Sequence, residues 1–138
     1  MKIFIKTTNL KLTPTIEEYI HQKINGLDRF LGNMDRETIE ARVEVGKTTK
    51  HHQKGDIFRA EVNLTLPGRL LRLVAEEEDL RTAIDKVKDG LQREIKKYRG
   101  RQEAKYKRRA RRAKKLIHLS PMAWFKRKKG SREKEEGI

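Results

Sequence analysis

The four histidines are the side chains of this sequence that could bind a metal ion or transfer protons near neutral pH. His51 and His52 are adjacent in the Lys-rich segment KTTKHHQKGD, whereas His21 and His118 stand alone. Adjacent side chains point in different directions on an extended chain, and no further ligand is near, so a solvated loop is favoured over a metal site. The chain also lacks cysteine, an H-E-x-x-H motif and a glycine-rich phosphate loop. We therefore expect no metal, no cofactor and no enzymatic activity.

Lysine and arginine offer a different chemistry, the binding of a polyanion. The formal net charge is +15. Residues 1–100 contain 20 Lys and Arg against 16 Asp and Glu, a net charge of +4, whereas residues 101–138 contain 15 against 4, a net charge of +11. This distribution predicts a mildly basic domain, a strongly basic tail and a polyanionic partner, namely RNA, DNA or an anionic membrane.

The candidate contacts with a polyanion are basic residues outside the apolar faces of the two predicted helices, together with basic residues at the start of the tail. A solvated face of mixed charge explains any single one of them, but they become denser towards the end of the second helix. Such a row can follow a phosphate backbone and release counterions. Because the predicted sheet has few aromatic residues, phosphate and shape contacts are favoured over base stacking. The candidates are Lys23, Arg29, Lys86, Lys88, Arg93, Lys96, Lys97, Arg101, Arg108, Arg109, Arg111 and Arg112.

The first elements that must position these side chains are a strand and a helix. The segment KIFIK alternates and places Ile3 and Ile5 on the core side of a strand. Thr13 suits the N-cap of a helix and Pro14 its first position. We expect this helix to end at Gly32 and Asn33. Spacings of three and four place the following apolar residues on one helical face: Ile16, Tyr19, Ile20, Ile24, Leu27 and Leu31.

Three strands and a second helix follow. The segments TIEARVEV, FRAEVNLTL and RLLRLVA predict an antiparallel meander with one buried face, and a Pro-Gly pair marks the last turn. The phase of the last strand is open, because Leu70 and Val74 compete with Leu71, Leu73 and Ala75 for the inner face. Asp79 is expected to cap the second helix. The apolar stripe of that helix comprises Leu80, Ile84, Val87, Leu91, Ile95 and Tyr98.

The predicted element order is β-α-β-β-β-α. Each helix has one apolar face and the sheet is half-buried, so the expected fold is an α/β (α+β) two-layer sandwich, with two helices packed on one face of a four-stranded sheet. Residues 1–100 form this domain. Residues 101–138 form a polybasic tail that we expect to be disordered, or marginally helical, until a partner neutralises it.

The tail is open to three interpretations. It could bind polyanions without specificity, or it could become ordered inside an RNA groove or channel with Trp124 and Phe125 stacked on bases. Binding to a membrane surface is the least favoured, because one short apolar cluster buries little area. The N-terminus has no signal-peptide pattern, and no apolar run approaches the length that spans a bilayer, so we expect a cytoplasmic protein.

Several motifs resemble the ribosome hibernation promoting factor family, also called ribosome-associated inhibitor or protein Y. They are NLKLTPTIEEYI at the first helix, LDRF at its end, the Pro-Gly turn, and EEDLRTAID leading into QREIKKY in the second helix. These pieces occur in order over residues 1 to about 100. The resemblance implies the β-α-β-β-β-α fold and binding to the small ribosomal subunit at the decoding region. There the family blocks mRNA and the A- and P-site tRNAs in resting cells.

The resemblance also implies a set of contact residues. Family positions that meet small-subunit rRNA carry over to Lys23, Arg29, Arg93 and Lys97, whereas Gly26 and Gly90 stand where many members have a basic residue. Long members end in a second small domain that pairs two ribosomes. From the length and apolar pattern of residues 101–138 we do not expect such a domain, and therefore no ribosome dimerisation by that route. We expect a monomeric ribosome-binding domain at residues 1–100, with rRNA and ribosomal proteins as partners and with no membrane or small-molecule substrate. The alternative is a general RNA- or nucleoid-binding protein that acts through its tail.

Overall fold

A computed structural model describes residues 1–48 and 55–119, the last without its side chain. The chain divides into two compact units, Met1–Tyr98 and Arg99–Ile138. Its strands are β1 (Lys2–Thr8), β2 (Glu40–Thr48), β3 (Ile57–Leu66) and β4 (Arg69–Glu77). Its α-helices are α1 (Pro14–Asn25) and α2 (Leu80–Leu119), and two 3₁₀ helices span Gly26–Phe30 and Arg36–Thr38. The predicted order of elements is confirmed.

The strands form a mixed four-stranded sheet in the order β1-β2-β3-β4. Strand β1 is parallel to β2, with Ile3 opposite Ala41, because α1 lies between these strands in the chain. The antiparallel meander is confirmed for β2, β3 and β4, in which Val43, Val62 and Leu73 are aligned. The sheet is therefore the predicted one, with the first strand added in parallel at the edge.

One apolar layer between the sheet and the helices forms the core. The predicted inward residues of β2 are all buried, and the structure resolves the phase of β4. Leu71 is 3% exposed, whereas Leu70 is 60% and Val74 is 42% exposed. Leu73 and Ala75 pack against the core from the inner face of the same strand. Alternation along the strand thus decides the face, since successive side chains point to opposite sides of a sheet.

Helix α1 begins as predicted but ends earlier. The Thr13 hydroxyl accepts a hydrogen bond from the backbone N–H of Ile16 at 3.3 Å, and Pro14 is the first helical residue. The α-helix ends at Asn25, so the expectation that it continues to Gly32 is wrong. The tighter 3₁₀ helix Gly26–Phe30 follows, and Gly32 then adopts a positive φ of 62°. Glycine is a poor helix former, which favours this change of helix type at position 26.

Helix α2 begins at the predicted cap and continues past the predicted domain boundary. The Asp79 carboxylate accepts hydrogen bonds from the N–H and hydroxyl groups of Thr82 at 3.1 and 3.0 Å. All six residues of the predicted apolar stripe are buried. The helix extends to Leu119, so residues 101–119 are helical in the structure. The predicted stacking residues Trp124 and Phe125 lie outside the described residues, as do His51 and His52.

Gly90 packs directly against the sheet. A Cβ atom at this position would lie 2.7 Å from Leu73 Cδ1, closer than side-chain carbons approach one another. By contrast, a Cβ atom at Gly26 would meet no atom of the described residues within 4 Å. Of the two glycines at which the sequence departs from the family pattern, only Gly26 is therefore on the surface.

Candidate nucleic-acid interface

The candidate cations of α2 that belong to the first unit lie on two sides of the helix. At 3.6 residues per turn, the candidates Lys88 and Lys96 share one side with Arg81. Lys86, Arg93 and Lys97 share another side, about 130° away. The first side faces α1, because Arg81 lies over the ring of Tyr19 in α1 and Lys96 lies over the ring of Phe30, shortly after α1. We call these sides the inter-helix flank and the β4 flank. The single row predicted from the sequence is thus two rows.

The Phe30 ring contacts two cations at one end of the inter-helix flank. Its ring centroid is 4.7 Å from the Arg29 guanidinium carbon and 5.2 Å from Lys96 Nζ. A cation is attracted to the face of an aromatic ring, so the same ring attracts both positive groups. No carboxylate of the described residues forms an ion pair with Arg29 or Lys96. This pair is therefore a cationic site that the fold itself assembles.

Tyr19 lies at the centre of a second cluster on the same flank, in contact with Asp85, Lys23 and Arg81. Its hydroxyl donates to Asp85 Oδ1 at 2.5 Å, and Lys23 Nζ lies 3.5 Å from the same oxygen. Lys23 and Arg81 also lie 5.4 and 5.3 Å from the Tyr19 ring centroid. Burial, followed by the hydrogen bond to Asp85, raises the pKa of Tyr19 to about 12, so the hydroxyl stays protonated. Asp85 partly neutralises Lys23, which makes this candidate a weaker phosphate ligand than Arg29.

The β4 flank contains one unpaired cation between two paired ones. Lys86 forms an ion pair with Glu77 of β4, and Lys97 lies 3.5 Å from Glu94. Arg93 is exposed, and among the described residues no carboxylate forms an ion pair with it. On the inter-helix flank, Lys88 is only 19% exposed and lies 3.8 Å from Asp89. Arg93 therefore has the most available charge of these four candidates.

The candidates of the second unit are all exposed residues of the helix, namely Arg101, Arg108, Arg109, Arg111 and Arg112. These five arginines form a third group of candidates, separate from the two flanks. The twelve candidates thus comprise the inter-helix flank with Lys23 of α1 and Arg29 of the first 3₁₀ helix beside it, the β4 flank, and this helical segment.

The outer face of the sheet is a network of ion pairs. Glu61 is 8% exposed and accepts from Arg72 at 2.7 Å and from Arg59 at 3.1 Å, while Arg42 lies 3.2 Å from Glu40. Burial opposes ionisation of Glu61, but the two arginines outweigh it and hold its pKa below the ordinary value. Arg42, Arg59 and Arg72 are thus neutralised within the sheet. The helix layer is therefore the better surface for a polyanion.

Sequence reasoning missed three members of the clusters. Tyr19 was assigned only to the apolar stripe and Phe30 only to a family motif. Arg81 is a basic residue outside the apolar stripe of the second helix, but it is not among the twelve candidates. A local signal exists for two of them, since Lys23 follows Tyr19 by one helical turn and Arg29 precedes Phe30 directly. Nothing local links Phe30 to Lys96 or Tyr19 to Arg81, because these residues meet only across the packed helices.

The described residues hold no group of three or more His, Cys, Asp or Glu side chains arranged to bind a metal ion. His21 is half-buried on α1 and His118 is exposed near the end of α2. In the described part of the chain, no helix is long and apolar enough to cross a membrane.

Comparisons with known proteins identify the family and the fold of this chain. Residues 3–103 match the family described as sigma 54 modulation protein / S30EA ribosomal protein. The chain belongs to this family, and the resemblance stated above is thereby confirmed.

Among its relatives are ribosome hibernation promotion factors of two bacteria. The protein from Deinococcus radiodurans is 30% identical over 94 residues, covering 67% of this chain and 46% of the relative. The protein from Lactococcus lactis subsp. cremoris is 32% identical over 107 residues, covering 76% and 53%. The chain thus spans about half the length of these relatives.

Solved structures show the same fold. The N-terminal domain of Thermus thermophilus protein Y superposes with a TM-score of 0.59 at 31% identity, covering 71% of this chain and 99% of that domain. A ribosomal subunit interface protein from Coxiella burnetii gives 0.55 at 20% identity, covering 72% and 99%, which supports the fold alone. The predicted two-layer α+β fold is confirmed.

Proposed function

We propose that the protein is a ribosome hibernation factor. In this proposal it binds the small ribosomal subunit near the decoding centre, blocks mRNA and the A- and P-site tRNAs, and preserves idle ribosomes in stressed or resting bacterial cells. Its family membership and the names of its relatives support the role. The structural observation that supports rRNA binding by particular residues is the cationic site of Arg29 and Lys96 around Phe30. The cytoplasm, where ribosomes act, is the proposed compartment.

The proposed mechanism is steric occupation without turnover. Phosphate groups of rRNA neutralise the exposed cations of the helix layer, and the released counterions supply much of the binding free energy. Arg29 and Lys96 are held by one ring, so little side-chain freedom remains to be lost on binding. Arg93 extends the contact to the β4 flank. The sandwich itself fills the space that mRNA and tRNA need, and no covalent step is required.

Paired substitutions with a matched control test this surface. Arg29→Gln with Lys96→Gln removes two charges from the helix layer, while Lys2→Gln with Lys6→Gln removes two from the outer face of the sheet. The two double variants have the same net charge as each other, two units below that of the unchanged chain. The proposal expects the first to weaken binding to purified small subunits and to relieve inhibition of in vitro translation, and the second to do neither.

Site-directed crosslinking locates the contact. A crosslinker placed at position 92, on the inter-helix flank, should react with rRNA of the decoding region. Equal loss of affinity in both double variants, or crosslinks spread over the whole subunit, would contradict the proposed site.

The second candidate function is general RNA or nucleoid binding through the basic segment. The observation that favours it is the exposure of every residue from Gly100 to His118. Sedimentation of lysate on sucrose gradients separates the two. A hibernation factor truncated after Tyr98, where the first unit ends, still migrates with ribosomes at moderate salt. A general polyanion binder loses this association on truncation, and the full chain spreads over all nucleic acid.

A further inference from the structure

The Tyr19 cluster contains a carboxylate, and phosphate binding alone does not account for it. Asp85 lies on the inter-helix flank of α2, about one helical turn after Arg81 and about three turns before Lys96. At 1.5 Å per residue, these cations are about 6 Å and about 16 Å away along the helix axis. A negative charge between cations weakens the attraction of this surface for any polyanion. The position of Asp85 therefore needs a further explanation.

The contact between the two helices uses one of the two oxygens of this carboxylate. Asp85 Oδ1 accepts the hydrogen bond from the Tyr19 hydroxyl at 2.5 Å and lies 3.5 Å from Lys23 Nζ. Within the described part of the chain, Asp85 Oδ2 has neither a hydrogen bond nor an ion pair. No unpaired side-chain oxygen or nitrogen of the described residues is buried, and 43% of the Asp85 side chain is exposed. Oδ2 is therefore a hydrogen-bond acceptor that a ligand can reach.

Neighbouring side chains fix the orientation of this acceptor and place positive charge beside it. The Tyr19 hydroxyl stays protonated at neutral pH, because its pKa is about 12, and it donates its proton to Oδ1. Lys23 and Arg81 lie 5.4 and 5.3 Å from the centroid of the Tyr19 ring. Both cations thus share the ring whose hydroxyl orients the carboxylate. One oriented acceptor and two positive groups are therefore available at the same site.

Nucleotides have the groups that match this site. Their phosphate oxygens bind Lys and Arg, and they also present hydrogen-bond donors. One such donor is the amino group of a base, from which an Asp carboxylate accepts, and another is the 2′-hydroxyl of ribose. A polyanion without donors, such as inorganic polyphosphate, meets only the negative charge of Asp85 and is repelled by it. A carboxylate among cations therefore lowers the affinity for polyanions in general and favours a nucleic acid whose donor reaches it.

We propose that Asp85 Oδ2 accepts a hydrogen bond from an amino or hydroxyl donor of an rRNA nucleotide, while Arg81 and Lys23 contact phosphates beside it. Asp85 is then a specificity-determining residue, and Tyr19 is a positioning residue that orients the carboxylate. The inference rests on the proposed function, because it names the chemistry by which this surface distinguishes rRNA from other polyanions. Binding of the unchanged chain to small subunits tests the proposed function, whereas the variants below test the inference alone.

Two substitutions that remove the same charge from the full chain provide the test. Asp85→Asn and Glu94→Gln each remove one carboxylate from α2, and each frees a lysine that lies 3.5 Å from it, Lys23 or Lys97 respectively. In Asp85→Asn the amide oxygen accepts from the Tyr19 hydroxyl, so the amide NH₂ group takes the place of Oδ2 and presents a donor to a donor. General electrostatic attraction predicts that both variants bind every polyanion more tightly, whereas the proposal predicts opposite effects on rRNA.

Purified small subunits and inorganic polyphosphate are the two probes for these variants. One freed lysine strengthens binding by at most roughly fivefold near 0.15 M salt. Loss of a hydrogen bond to a charged group weakens binding by roughly 10- to 100-fold. We therefore expect Asp85→Asn to bind small subunits roughly 2- to 20-fold more weakly and polyphosphate more tightly, and Glu94→Gln to bind both more tightly. Urea denaturation followed by circular dichroism checks that both variants fold.

Tyr19→Phe tests the positioning role without a change of charge. The phenylalanine ring still attracts Lys23 and Arg81, but Asp85 loses the donor that orients it. We expect weaker binding to small subunits and unchanged binding to polyphosphate, so the ratio of the two affinities changes. A purely structural role would lower the free energy of unfolding and leave this ratio unchanged, which would contradict the positioning role. If Asp85→Asn does not fold, the ratio measured for Tyr19→Phe decides the whole inference.

An RNA hairpin with the sequence of the decoding region distinguishes the two possible donors. Asp85→Asn should bind the unmodified hairpin more weakly than the unchanged chain does. With the fully 2′-O-methylated hairpin, this difference persists if the donor is a base amino group and disappears if it is the ribose hydroxyl.

Two results would overturn the inference. One is unchanged or tighter binding of Asp85→Asn to small subunits, which would leave Asp85 only as a contact between the helices. The other is weaker binding to small subunits without any loss of affinity for the unmodified hairpin, which would assign the donor to a ribosomal protein. In either case, inhibition of translation by the unchanged chain would leave the proposed function standing.

Discussion

Replacement of Gly90 by alanine tests how closely α2 packs on the sheet. The added Cβ would lie 2.7 Å from Leu73 Cδ1 and 3.2 Å from its Cγ, so the Leu73 side chain or the helix must shift. Alanine is favoured over glycine inside a helix by about 1 kcal/mol. An extra methyl group in a packed core costs about 1–3 kcal/mol. We therefore expect Gly90→Ala to lower the free energy of unfolding by roughly 0–2 kcal/mol.

Gly26→Ala is the matched control for this substitution. Gly26 has helical backbone angles, and among the described residues no atom lies within 4 Å of the added Cβ. Its replacement should stabilise the protein by about 0.4–1 kcal/mol, because alanine restricts the unfolded chain without strain in the folded one. Urea denaturation followed by circular dichroism measures both variants.

A double variant isolates the contact. In the background of Leu73→Ala, which removes the opposing atoms, Gly90→Ala should cost less than in the unchanged chain, with a coupling of about 1 kcal/mol. If Gly90→Ala stabilised the protein as much as Gly26→Ala does, and if the double variant showed no coupling, the close packing of α2 on β4 would be refuted. A basic residue at position 90 would then also be acceptable, contrary to the buried position seen here.

Three further predictions concern charge, core and pH. Arg93→Glu should weaken binding to small subunits in filter-binding assays while changing the free energy of unfolding by less than about 0.5 kcal/mol, since the exposed side chain has no partner among the described residues. Ile84→Ala should destabilise by roughly 2–5 kcal/mol in urea denaturation because Ile84 is 3% exposed; a loss below about half a kcal/mol would place it outside the core. The pKa of Glu61 is lower in the folded protein than in the unfolded chain. The ionised carboxylate therefore stabilises the fold at pH values above its ordinary pKa of 4.5, and this stabilisation is lost as the pH falls through the folded pKa. The stability difference between the unchanged chain and Glu61→Gln should therefore shrink from pH 6 towards roughly pH 3, and a constant difference would contradict the ion pairs with Arg59 and Arg72.

Local patterns of the sequence determine the elements of this protein. The alternation in β2 and β3 and the spacing of three and four in α2 correctly predict the buried face, because side-chain direction repeats with the backbone period. Thr13 and Asp79 mark helix starts because a cap bonds to backbone groups two or three residues away. Charge distribution also indicates a polyanionic partner, since net charge is a sum over residues and needs no coordinates.

Tertiary packing decides how the charges are grouped. Lys96 meets Phe30, and Arg81 meets Tyr19, only because α1 and α2 pack side by side on the same sheet. The division of the α2 cations into an inter-helix flank and a β4 flank depends on which neighbour each side of the helix faces. Glu61 is buried on the outer face of the sheet only because arginines of β3 and β4 fold over it. Cation–π contacts and ion pairs act over a few ångströms in space, and residues far apart in the chain reach that distance only in the folded structure.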